Sequence, residues 1–111
     1  MNVTEQVAFA KKLDSAKQAA ANATFEYINK NGENPMGCGF AWVEVSKVRG
    51  KKLDFLKVYG FKKKYDGPGF SLWNPSGHYT QDMDAKYAGA QAFVEVLEGL
   101  GLNAVARCRL D

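Results

Sequence analysis

Two rhythms of apolar residues run through this chain. Between Asn2 and Lys30, Phe9, Leu13, Ala16, Ala20, Ala23 and Tyr27 recur at alternating intervals of four and three. That spacing is one face of a 3.6-residue period and predicts a long helix. Asn2 followed by Glu5 fits a capping box at its start, and Asn31-Gly32 supplies a left-handed stop. The middle of the stripe is alanine, so another element can approach closely there. The same rhythm returns in Met83, Tyr87, Ala90, Val94 and Leu97, flanked by Ala85, Ala88, Gly89 and Ala92. This second long helix begins at Asp82 or Asp84, either of which can cap it, and ends at Gly99 and Gly101. A glycine inside a helix costs ~1 kcal/mol relative to alanine, so Gly89 predicts a close backbone contact with the sheet or the first helix.

Period-two stretches mark the strands. Cys38 to Ser46 places Cys38, Phe40 and Trp42 on one side and Ala41, Val43 and Val45 on the other. Both sides are apolar, which predicts a central strand covered at least partly on both faces. Phe70 to Trp73 is a short strand before the turn Asn74-Pro75-Ser76-Gly77. Asn103 to Leu110 is the last, with Ala104, Ala106, Cys108 and Leu110 facing one way and Val105, Arg107 and Arg109 the other. Lys51 to Tyr59 reads as a short helix stopped by Gly60, and Phe61 to Gly69 as a loop. The predicted fold is a single α+β domain spanning residues 1–111: a two-layer sandwich of a three-stranded sheet, two long helices on one face and a short third helix. Strand order and direction do not follow from the pattern.

Composition adds bounds. The chain has 111 residues, 46% apolar and 24% charged, which is the balance of a globular domain. No apolar run approaches the ~18 residues of a membrane span, and the opening residues do not read as a signal peptide. A cytoplasmic location is expected, with no membrane partner. Charge changes the picture more. Residues 47–64 carry Lys47, Arg49, Lys51, Lys52, Lys57, Lys62, Lys63 and Lys64 against Asp54 alone. Eight cations against one carboxylate make +7 in a chain whose total is +3, so the remainder carries −4. Such asymmetry fits a polyanion partner, and equally a solvated basic face.

The strings Cys38-Gly39-Phe40-Ala41-Trp42-Val43, Gly60-Phe61, Trp73-Asn74-Pro75, Gln81, Ala88-Gly89-Ala90 and Arg109-Leu110-Asp111 carry a resemblance. This part of the chain, about two-thirds of it, resembles a family of small uncharacterised proteins of tailed phages and marine metagenomes. The resemblance implies a phage or prophage origin and supplies no activity and no catalytic residue. The Ala-Lys rhythm after Asp84 is superficially similar to the last helix of a double-stranded RNA-binding domain. That module carries lysines where this chain has Asp82 and Asp84, and no strand follows its helix.

Candidate catalytic chemistry is sparse, and neither an enzyme nor a cofactor is expected. A Ser-His-Asp or Cys-His arrangement would have to use His78, the lone histidine, which reads more simply as a turn residue. Two cysteines 70 positions apart and one histidine do not make a zinc site. Cys38 and Cys108 are expected to be buried and reduced. Asp82-Met83-Asp84 with Gln81 offers oxygen ligands for magnesium, but helix capping accounts for the same residues. Gly67-Pro68-Gly69 beside three lysines offers amides to a phosphate, or is a plain turn.

Two classes of function remain. One is a non-catalytic module binding a polyanion such as single-stranded nucleic acid. Its site would be Arg49, Lys51, Lys52, Lys57, Lys62, Lys63 and Lys64, with Tyr65, Phe70 or Trp73 as a stacking face. The other is a protein-interaction factor docking on a host protein, a phage protein or a second copy of itself. Its anchors would be the aromatics around Trp73-Asn74-Pro75, with a basic rim. Tryptophans in small chains are mainly buried, which makes Trp73 a core residue by expectation.

Overall fold

A computed structural model of the chain describes residues 1–111. The elements are α1 (Val3–Asn31), β1 (Gly39–Ser46), α2 (Lys51–Val58), β2 (Lys62–Lys63), β3 (Phe70–Trp73), α3 (Met83–Gly99) and β4 (Asn103–Leu110). Asn2 caps α1 as its sequence implies: its Oδ1 accepts from the Glu5 N–H at 2.8 Å, and Glu5 Oε1 accepts from the Asn2 N–H at 3.1 Å. Asp82, not Asp84, caps α3. The sheet has four strands in the order β2-β3-β1-β4, every neighbouring pair antiparallel. From β1 onward the chain runs β-α-β-β-α-β, the split βαβ arrangement, with α1 added in front.

The expected sheet lacked β2. Three successive lysines show no alternation, and their strand is created by its partner: Lys62 pairs with Ser71 and Lys63 with Phe70. The Lys64 N–H closes the hairpin on the Gly69 carbonyl at 3.0 Å. Gly69 is required there, with φ +102° and a position where a Cβ would stand 2.8 Å from the Val45 carbonyl oxygen.

The helices lie on one face only. Ala41, Val43 and Val45 of β1 join Phe9, Leu13, Ala16 and Ala20 of α1, Leu56 of α2, and Ala90, Phe93, Val94 and Leu97 of α3 in one buried cluster. Of the expected core face, Tyr27 and Tyr87 stay half-buried. The seam between α1 and α3 is tight because it is built from small residues. A Cβ on Gly89 would stand 2.5 Å from Thr24 Oγ1, 2.9 Å from Ser76 Cβ and 3.0 Å from the Ala20 carbonyl oxygen, so the glycine contact is with the first helix and with the turn after β3. Thr24, fully buried, donates its hydroxyl to the Ala85 carbonyl across that seam at 2.7 Å. β1 is central, as expected; its Ala41, Val43 and Val45 side is buried under the helices, whereas its Phe40 and Trp42 side is only half-buried, covered by Trp73 of the neighbouring strand. The cysteines also differ from expectation. Cys38 is half-buried and Cys108 exposed, because β4 is an edge strand with no buried residue beyond Ala104.

Candidate functional site

The helix-free face of the sheet is assembled by strand register. Trp42 lies between Trp73 of β3 and Arg107 of β4, Glu44 between Ser71 and Val105, and Phe40 opposite Arg109. Side chains two apart on one strand share a face, so these residues form one surface. Lys62, opposite Ser71, extends it onto β2. Trp42 and Trp73 stack with ring centroids 4.8 Å apart and planes at 30°. Phe40 meets Trp73 edge-on at 5.9 Å. Trp73 is 53% exposed. It is therefore a surface indole packed on another indole, and not the core residue expected. The reason is topological: β3 presents Leu72 to the helices and Trp73 to the bare face.

Cations ring this aromatic cluster. The guanidinium of Arg109 lies 5.6 Å from the centre of the Phe40 ring, as does Lys86 Nζ, distances at which a cation is attracted to the ring. Lys86 is only 7% exposed, and its ammonium donates to the Gly39 carbonyl at 2.9 Å. Next to the indoles, Trp42, Glu44, Lys62, Lys63, Lys64, Tyr65, Asp66, Ser71, Trp73 and Arg109 line most of a groove of about 490 Å³. That is within the range of about 300–1,000 Å³ typical of small-ligand sites.

Glu44 sits at the junction of the two parts. Its Oε2 accepts from Trp42 Nε1 at 3.0 Å, which fixes the indole. Its Oε1 faces Lys64 Nζ at 3.3 Å and Arg107 Nε at 3.4 Å. Burial pushes the carboxyl up, but the hydrogen bonds from Trp42 and Lys64 and the charges of Lys64 and Arg107 outweigh it, leaving Glu44 below the ordinary carboxylate value.

The structure divides the residues expected at the site. Lys62, Lys63, Lys64, Tyr65 and Trp73 share the groove. Tyr65 is fully exposed at its rim. Arg49 stands just before α2 and Lys51, Lys52 and Lys57 lie on it, outside the groove. Phe70 is not available for stacking. It pairs with Val45 on the helix side, partly buried, with Lys57 Nζ 5.6 Å from its ring centre. Phe40, Trp42, Glu44, Arg107 and Arg109 belong to the surface and were not among the candidates. The alternation of β1 and β4 had already placed Phe40 with Trp42 and Arg107 with Arg109 on single faces, but the pairing that joins those faces, and brings Glu44 to them, is visible only in the fold.

The other candidates have structural work. His78 Nδ1 accepts from the Thr80 N–H at 3.0 Å, and its ring stacks on Tyr79 at 4.6 Å. Ser76 Oγ is engaged with Asn74 Oδ1 and the His78 N–H. Asp82, 3% exposed, accepts from the N–H groups of Asp84 and Ala85 on Oδ1 and of Asn34 on Oδ2, as a cap and a loop anchor. No helix is long and apolar enough to cross a membrane. No protein-family model, no curated protein and no solved structure matches the chain.

Proposed function

We propose that the protein is a non-catalytic binding module for single-stranded nucleic acid, and that the strand lies across the helix-free face of the sheet. The observation that carries this reading is the platform of Phe40, Trp42 and Trp73 on the two central strands, bordered by Lys62, Lys64, Arg107 and Arg109. Bare four-stranded sheets with aromatics on their central strands stack unpaired bases, and cations beside them follow the phosphates. A duplex hides its base faces and would not use such a platform. The basic segment contributes Lys62, Lys63 and Lys64 to the site, while Arg49, Lys51, Lys52 and Lys57 supply the long-range field.

Fluorescence anisotropy of labelled single-stranded DNA and RNA oligomers across a salt series tests it. Affinity should fall linearly in log[salt], with a slope of about 0.7 per phosphate neutralised. Changing Lys62 and Lys63, both exposed, to Ser should flatten that slope without unfolding the protein. Failure of wild-type protein to bind any oligomer at low salt ends this reading and favours docking of a protein on the aromatic patch.

A further inference from the structure

We infer that the groove selects for guanine, through the carboxylate of Glu44 beside the two indoles. This rests on the nucleic-acid reading above and adds to it a base preference that stacking alone does not supply. A carboxylate is an unexpected group in a phosphate-binding surface, since it repels the phosphate. Glu44 is not a peripheral residue there. Its side chain is 19% exposed, it lines the groove together with Trp42, Ser71 and Trp73, and it is held from three directions by Trp42, Lys64 and Arg107. A held anion between stacking rings and cations suits the edge of a base, with the cations left for the backbone.

The chemistry of the edge names the base. A carboxylate only accepts hydrogen bonds, and its two oxygens take two parallel donors together. Guanine alone presents two adjacent donors, N1–H and the exocyclic amine. Thymine and uracil present one N–H between two carbonyls, which repel the carboxylate. Cytosine and adenine present one amine beside a ring nitrogen that repels it as well. The contacts of Oε1 with Lys64 and Arg107 are long, 3.3 and 3.4 Å, and both cations can turn to phosphates when a strand arrives. Trp42 Nε1–H keeps Oε2 in place meanwhile. The Ser71 hydroxyl, opposite Glu44 on β3, stands on the same face of the groove.

The test compares an oligothymidylate with the same oligomer carrying one central guanine, by anisotropy on the intact protein. Wild type should bind the guanine oligomer roughly 5- to 100-fold more tightly, the discrimination of one bidentate base contact. Inosine in place of guanine lacks the exocyclic amine and should fall between the two, a result independent of any variant's folding. Glu44→Gln, nearly isosteric, should lose most of the preference, read as the ratio of its affinities for the guanine oligomer and for oligothymidylate. Equal binding of thymidylate and guanine oligomers by wild type overturns the inference and leaves the nucleic-acid reading standing. So does a preference that survives in Glu44→Gln. No binding of either oligomer overturns both.

Discussion

Replacing Trp73 with Ala separates a stacking surface from a core. A buried indole covers about 150–250 Å². With 53% of Trp73 exposed, about half of that area is covered, chiefly by Trp42 and Phe40. At about 25 cal/mol per Å² its loss costs ~2–3 kcal/mol. No closed cavity remains to add to this, because the site opens to water. A core Trp→Ala change costs about 3–5 kcal/mol. Thermal melting followed by circular dichroism should therefore show a folded variant with a Tm roughly 10 °C lower. Binding should suffer more specifically. Stacking contributes ~1–3 kcal/mol per base, so affinity should drop about 5- to 150-fold with the salt slope unchanged. Trp73→Phe should recover part of the affinity, since it restores a ring. Undiminished affinity in Trp73→Ala, in a protein whose wild type binds salt-dependently, would refute the stacking argument. A variant that does not fold would refute the placement of Trp73 on the surface.

Three further outcomes follow from the packing. Gly89→Ala gains helix propensity of ~1 kcal/mol but drives a methyl into Thr24 Oγ1 and the Ala20 carbonyl; overpacking of about 1–3 kcal/mol should win, and the denaturant midpoint should fall. Asp82→Ala leaves the N–H groups of Asn34, Asp84 and Ala85 without their acceptor; about 2 kcal/mol of stability should be lost, and hydrogen exchange should quicken in the first turn of α3. Glu44 titrates below its ordinary value of 4.5 in the fold, so the unfolded chain takes up its proton first; the stability it contributes is complete above that value and disappears as pH falls through the folded one. Glu44→Gln should accordingly flatten the stability profile below about pH 4.5, and an unaltered acid limb would contradict the Glu44 network.

The local signals in the sequence were sufficient for every element except β2. The period of Phe9 to Ala20, the Asn2–Glu5 box, the glycines closing each helix and the alternation of β1 and β4 are interactions between residues a few positions apart. They report the same structure whether or not the rest of the chain has folded. The α+β class and the basic stretch at 47–64 were legible for the same reason. What the tertiary structure alone decided was adjacency. Lys62–Lys63 became a strand only because Ser71 and Phe70 pair with it. Trp73 became a surface residue only because the helices stack on the opposite face. Thr24 and Lys86, polar residues on helices, are buried because backbone carbonyls from distant segments receive them. Glu44, a polar interruption of an apolar strand in the sequence, became the centre of the site when register brought Lys64 and Arg107 to it. Each of these depends on which strands become neighbours. Pairing is set by burial of all the apolar faces at once, a property of the whole chain that no short segment contains.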